Sequence, residues 1–288
     1  GGDKSRPMLC LPPMEPCHWW LQKAGLRSKH NPEDFAIGIK EVIELPSKTI
    51  EERFNLSNNE GAAQLFVGSL TKGIFGAGFL YTNIDSLSLG IVVRIKDLMQ
   101  KKPPLEVWKL MEEIKQRPEI NNLVKGGNSV EYAAHLIPEG GINLMPRLYS
   151  DGILVAGDAA GFAMNMGITV RGMEFALVSG ALAAQAINRA KERNDFSARG
   201  LSIYQDLLQE SFVLQDLSTF KHMPGFLENP RLFALYPQLA CELLEDLMFI
   251  DAKPKEKLST TVRKKISKKI KGTERLLILN DVRKALKI

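Results

Sequence analysis

An apolar run, GILVAG (152–157), ends on a glycine and is followed at once by Asp158 and three small residues, Ala159, Ala160 and Gly161. Gly157 lets the backbone turn with no Cβ in the way. Asp158 is short and acceptor-only when ionised, so it is placed to take hydrogen bonds from ligand hydroxyls or to cap backbone N–H groups. The small residues leave room for a ligand against the main chain. Downstream, Asn165, Gly167 and Thr169 precede an Ala- and Gly-rich segment, 171–193, that reads as a long helix. Free N–H groups at such a helix start favour an anion or a polarised carbonyl by roughly 0.3–1 kcal/mol. This chemistry suits a ligand that carries hydroxyls and an anionic or polarised carbonyl group. A plain strand–turn–helix with a capping aspartate would carry the same glycines.

Other chemistries lack their residues. The lone G-x-G, Gly76–Ala77–Gly78, has Tyr81 where a dinucleotide fingerprint needs its last glycine, and there is no GxxxxGK[ST]. Three cysteines, Cys10, Cys17 and Cys241, make neither a disulfide framework nor a four-cysteine iron–sulfur site. His18, His30 and His222 have no metal-ligand spacing with them, so no metal is expected. Cys241 sits in an apolar helical stretch and is expected in a core. His135, alone on a strand, reads first as a packed residue and second as a proton donor.

No run of 18 apolar residues occurs, which excludes an evident membrane-spanning helix, and the N-terminus lacks the pattern of a secretory signal. The expected location is cytoplasmic. The net charge of +5 is uneven: residues 253–288 hold 13 Lys/Arg against three acids, and the other 252 hold 25 against 30. An acidic body with a basic tail gives no support to nucleic-acid binding.

The elements that must position the glycine turn are mixed in type. FAIGIKEVIEL (35–45) and AAQLFVG (62–68) read as strands, 78–95 as a hairpin turning at Thr82–Asp85, and 129–137 as a further strand. Leu105, Trp108, Met111 and Ile114 step by three after Pro103 and Pro104, predicting an amphipathic helix over 103–120. Residues 200–250 read as helical with a break at 222–230, and the basic tail as a weakly amphipathic helix. The predicted class is α+β, divided into an irregular leader (1–20), a sheet domain (21–145), a strand–loop–helix unit (146–195), a helical region (196–252) and the tail (253–288).

The segment GILVAGDAAGFAMNMGITVRGMEFALVSGALAAQAI (152–187) resembles the late flavin-binding motif of the electron transfer flavoprotein–quinone oxidoreductases, and more narrowly their FixC-type bacterial branch. FAIGIKEVIELP, FLYTN, EYAAHLIPEGG, MPRLY, TVRGMEFA and SFVLQDLSTFK…FLENPRLF fit the resemblance in order over residues 21–250. It implies the C-terminal part of a two-domain FAD-binding oxidoreductase, with an incomplete Rossmann-like FAD domain and a sheet domain on the substrate side. Electrons would pass from an electron transfer flavoprotein to quinone at a membrane surface or to a separate ferredoxin-like protein. By the same resemblance Asp158 would hold the ribityl chain of FAD. Gly157 and Gly161 would give close backbone access. Asn165, Gly167 and Ile168 would line the pyrimidine edge of the flavin, a helix starting near Thr169 would point at it, and Arg171 would add charge. Gly76 and Ala77 align with a glycine pair on the quinone side. The location implied is cytoplasmic and peripheral to the inner membrane, with the basic tail solvated, at lipid headgroups or at an acidic partner.

Family members begin with a strand, GxGxxG and a helix. The resemblance here starts near LQKAGLR (21–27), so the expectation is a truncated, inactive product with a foreign leader and weak or no FAD retention. Two other readings are a geranylgeranyl reductase-like flavin reductase and a non-catalytic remnant that binds a partner.

Overall fold

A computed structural model describes residues 8–10, 20–28, 31–167, 169–250, 252, 254–270 and 272–286. In chain order the strands are β1 (Met8–Cys10), β2 (Phe35–Glu44), β3 (Ala63–Phe66), β4 (Gly76–Thr82), β5 (Ser86–Arg94), β6 (Asn128–Pro138), β7 (Tyr149–Ser150), β8 (Ile153–Val155), β9 (Met164–Asn165) and β10 (Val170–Arg171). The helices are α1 (Ser47–Phe54), α2 (Ile95–Gln100), α3 (Val107–Lys115), α4 (Pro118–Val124), α5 (Met173–Glu192), α6 (Ala198–Leu201), α7 (Ile203–Glu210), α8 (Phe212–Thr219), α9 (Met223–Leu227), α10 (Leu235–Met248), α11 (Leu258–Lys269) and α12 (Thr273–Ala285). The class is mixed helix and sheet, as the sequence predicts.

Strands β3-β4-β5-β2-β6 form a five-stranded antiparallel sheet. Alternation gives it one apolar face. Ile39 and Ile43 of β2 and Leu87, Leu89, Ile91 and Val93 of β5 are buried against Leu110, Met111 and Ile114 of α3 and Ile120 and Val124 of α4. Each such side chain contributes about 1.5–3 kcal/mol by leaving water. Glu41 points into the same face and is buried. It is held by the Lys115 ammonium at 3.2 Å and by the Ser129 hydroxyl, which donates to its carboxylate at 3.1 Å.

A second core lies beneath the glycine turn. Leu154 and Val155 of β8 pack with Phe162, with Phe175, Ala183, Ala186 and Ala190 of α5, and with Tyr204 and Leu208 of α7. Alanines along α5 bring its backbone close to the turn. β8 is flanked by β7, antiparallel, and β1, parallel. The pairing of Met8–Cys10 thus places a strand within the stretch expected to be irregular.

Three boundaries differ from expectation. The helix expected over 103–120 starts only at Val107, and Pro118 opens α4 as a separate helix. A proline N–H is missing, so Pro118 cannot continue α3 and instead takes a first-turn position. The long helix starts at Met173, not Thr169, because Met164–Asn165 pairs with Val170–Arg171 in a short hairpin. Cys241 is exposed on α10, not in a core. The basic tail forms two helices, α11 and α12, separated at Gly272, whose φ is +52°.

The tail is fastened by Asp281. It is buried in α12 and accepts two hydrogen bonds from Arg231, Nε at 2.8 Å and Nη2 at 2.9 Å, and one from the Tyr236 hydroxyl at 2.5 Å. These charge-assisted bonds hold its carboxyl down at about 2. The Arg231 guanidinium is pushed up by the same bonds.

Candidate flavin and quinone-side site

The turn after β8 is built on hydrogen bonds within the chain. Gly157 has φ +59°, a left-handed conformation that a side chain resists. Its N–H donates to Ser179 Oγ at 3.0 Å, and that hydroxyl donates to the Ala176 carbonyl at 3.1 Å. Ser179 is fully buried in α5, so the turn is bolted to the helix face beneath it. Tyr204, also fully buried, donates its hydroxyl to the Val155 carbonyl at 3.0 Å, fixing the end of β8; burial pushes its phenol upward. Residues Gly157–Ala160 make one 3-10 turn closed by Gly161 at φ +75°, whose N–H donates to the Asp158 carbonyl at 2.9 Å. Arg27 lies against Gly161 and donates to the Leu144 carbonyl at 3.0 Å, its guanidinium pulled down to about 10 by burial.

With its backbone so engaged, Asp158 presents a half-buried carboxylate to which no described residue donates a hydrogen bond. Desolvation raises its pKa, and the charge of nearby His135 opposes that rise. His135, on the far strand of the sheet, is thus near enough for its charge to act on the acid.

Register explains how. Across the sheet Ala77 pairs with Val92, Val92 with Gly38, and Gly38 with His135, so these four share one row. A Cβ on Gly38 would meet Val92 at 3.7 Å and the His135 ring at 3.9 Å, which puts all of them on the face away from α3. The next row is Phe79, Gly90, Lys40 and Ala133, with the Phe79 ring lying over Gly90. Ala36, Gly38, Ala77 and Ala133 leave part of this face low and flat. Gly76 lies on the other face: a Cβ there would stand 2.3 Å from the Val92 carbonyl and 2.9 Å from Val93. Register thus separates the expected quinone-side pair, with Ala77 on the open face and Gly76 at a close approach within the sheet.

The hairpin β9–β10 supplies the rim. Gly167 has φ +84°, and its N–H donates to Asn165 Oδ1 at 2.8 Å. Ile168 lies outside the described residues. Arg171 donates to Glu174 at 2.5 Å and to Asp216 at 2.6 Å, and its guanidinium stacks on Phe175 and Phe212. Its charge is thereby balanced by two carboxylates, and it ties the hairpin to α5 and α8.

Between hairpin and sheet lies a small cavity of about 20 Å³, open at its mouth, lined by Ile137, Glu139, Asn165, Val170, Phe220 and Leu227 among others. A second, larger one of about 310 Å³, with Arg94, Lys96, Asp97 and Lys101 in its wall, adjoins it at Leu227. Sequence reasoning gave no role to Glu139 or Ser179. The signals were present: an acid ending an apolar strand before Gly140–Gly141, and a serine on the small-residue face of a helix.

The fold is found in other proteins. A geranylgeranyl bacteriochlorophyll reductase-like protein of Thermoplasma acidophilum is similar over 92% of this chain and 59% of its own, with a TM-score of 0.59 at 18% identity. The ubiquinone-binding model of the electron transfer flavoprotein–quinone oxidoreductases matches residues 35–137, and the C-terminal domain model of the ETF-QO/FixC family matches 223–288. Protein FixC of Escherichia coli K12 is 43% identical over 93% of this chain. The probable electron transfer flavoprotein-quinone oxidoreductase YdiS of the same strain is 42% identical over 89%. The chain belongs to the ETF-QO/FixC family. It spans 61% of the length of FixC and 58% of that of YdiS.

Proposed function

We propose that this chain is the quinone-facing and late flavin-binding part of an FAD-dependent oxidoreductase, passing electrons from an electron transfer flavoprotein to quinone or to a ferredoxin-like carrier. The observation that carries the reading is the half-buried Asp158 carboxylate, to which no described residue donates a hydrogen bond, set opposite the open sheet face. The residues present fit the group. Asp158 accepts from its sugar-alcohol hydroxyls; Gly157 and Gly161, both at positive φ, keep side chains away from it. Asn165 and Gly167 border the ring edge, and Ala77 sits on the face toward which quinone approaches, with Gly76 shaping the strand behind. Arg171, already paired, holds the hairpin in place. When bound, FAD supplies the two-electron chemistry. Among the described residues no helix is long and apolar enough to cross a membrane, and the basic helices α11 and α12 support peripheral contact with anionic lipid.

Titration of the purified chain with FAD, followed by quenching of flavin fluorescence, tests the reading. Asp158→Ala is expected to weaken binding about tenfold or more, the cost of losing a charge-assisted hydrogen bond of about 1.5–3 kcal/mol. Equal affinity in wild type and variant overturns it.

A further inference from the structure

The five-stranded sheet has two unlike edges. At one, β3 is only four residues long, Ala63–Phe66. So short a strand offers little to pair with. At the other, β6 runs for eleven residues, Asn128–Pro138, and within the sheet it pairs with β2 alone. A strand with a single neighbour turns every second N–H and C=O outward. Among the described residues no hydrogen bond reaches the outward backbone groups of residues 129–137.

Proteins blunt such edges with lysine, proline or a bulge. β6 carries one bulge, at its start: Val42 faces Glu131 and Ile43 faces Ser129, which leaves Val130 as the extra residue. From Glu131 to Ile137 the register is unbroken, and this stretch holds no Lys, Arg, Gly or Pro. Tyr132, Ala134 and His135 are exposed along it. Glu131 is exposed too, 3.8 Å from Lys40 on the neighbouring strand.

We propose that β6 is a homodimer interface, along which two copies of this chain pair antiparallel about a two-fold axis at Ala133 and join their sheets into one. In that register the strand is its own complement. Ala133 meets its equivalent across the axis. Tyr132 lies opposite Ala134 of the partner subunit, a large ring over a small neighbour. Glu131 lies opposite His135 of the partner subunit, and symmetry makes this contact twice. Opposite charges directly across a ladder stabilise it, and like charges destabilise it. Moving the axis one residue either way sets Glu131 against Ala133 or Ile137 and loses both contacts.

The axis stands perpendicular to the sheet, so both open faces lie on the same side. Glu131 of the partner subunit then comes beside the His135 whose charge acts on Asp158. Nothing in the pairing requires flavin or quinone.

Strand pairing over so short a stretch lies at the small end of specific interfaces, so a dissociation constant of about 1–100 μM is expected. Sedimentation equilibrium of the full chain from about 1 to 300 μM measures it. The experiment is run at pH 6, where an ordinary imidazole is mostly protonated. The mean mass is expected to rise from that of one chain to that of two. Amide hydrogen exchange at both ends of the range locates the contact: residues 131–135 are expected to slow about tenfold or more at the higher concentration, with β3 unchanged. Glu131→Lys sets a cation against His135 and is expected to weaken association about tenfold, since the contact is lost twice. Combining Glu131→His with His135→Glu re-forms the pair in the opposite sense and is expected to restore association. The exchange measurement uses wild type alone and decides the question if a variant fails to fold.

A monomer at every concentration overturns the proposal. So does a dimer whose β6 amides exchange as fast as those of the monomer, or one that Glu131→Lys leaves as tight. A combined variant that associates no better than Glu131→Lys overturns it as well. None of these outcomes bears on FAD binding at Asp158, which is measured separately.

Discussion

Asp281→Asn should loosen the C-terminal helices by an amount the structure sets. In the folded chain Asp281 takes three hydrogen bonds from Arg231 and Tyr236, and its carboxyl is held at about 2 against an ordinary 3.8. Asparagine keeps the size and one acceptor but not the charge. A depression of about 1.8 units at about 1.36 kcal/mol per unit amounts to roughly 2.4 kcal/mol of stability. Because the folded value lies below the unfolded one, this stability is fully present above pH 4–5 and drains as pH falls toward 2. At pH 7 the variant should therefore be about 2 kcal/mol less stable in this region, and at pH 3 the gap should shrink to roughly half. Amide hydrogen exchange within α12, read peptide by peptide, measures it: a loss of about 2 kcal/mol speeds exchange roughly 30-fold through local opening. A change below about threefold at pH 7, or a gap that widens on acidification, would refute the view that ionised Asp281 holds the tail.

Two further substitutions probe the site's framework. Ser179→Ala removes the oxygen that accepts the Gly157 N–H at 3.0 Å and leaves that donor buried; urea unfolding should show a loss of about 1–3 kcal/mol. Gly90→Ala would set a Cβ 2.1 Å from the Phe79 ring and 2.8 Å from the Ile39 carbonyl. The ring can swing but the backbone cannot, so a cost of about 1–3 kcal/mol is expected in the same assay, and an unchanged midpoint would show that the sheet relaxes freely.

Much of the architecture was legible because it is periodic. The β-branched residues of FAIGIKEVIE mark β2, and the polar step Thr82–Asp85 marks the β4–β5 turn, both close to where they fall. The glycine turn was legible because Gly157 and Gly161 need backbone angles that few residues adopt. Pairing register was not: adjacent letters, Gly76 and Ala77, occupy opposite faces, and only the partner strand decides which. The start of α5 was misjudged for a similar reason. Residues up to Arg171 had a competing use in a hairpin whose partner, Met164–Asn165, lies across a turn. Cys241 reads as apolar, yet its helix face is exposed. The acid Glu139 stood in plain view, but the walls around it come from distant parts of the chain.

The low face of the sheet has a consequence for recognition. Within a ladder the amides and carbonyls of β2 and β5 are already spoken for by their neighbours, and Ala36, Gly38, Ala77 and Ala133 bring no polar atoms of their own. Such a floor can accept a planar molecule's breadth while remaining indifferent to the pattern of heteroatoms above it. Discrimination between one aromatic guest and another must then be written around the perimeter, in the few atoms of His135, Glu139, Asp158 and Asn165.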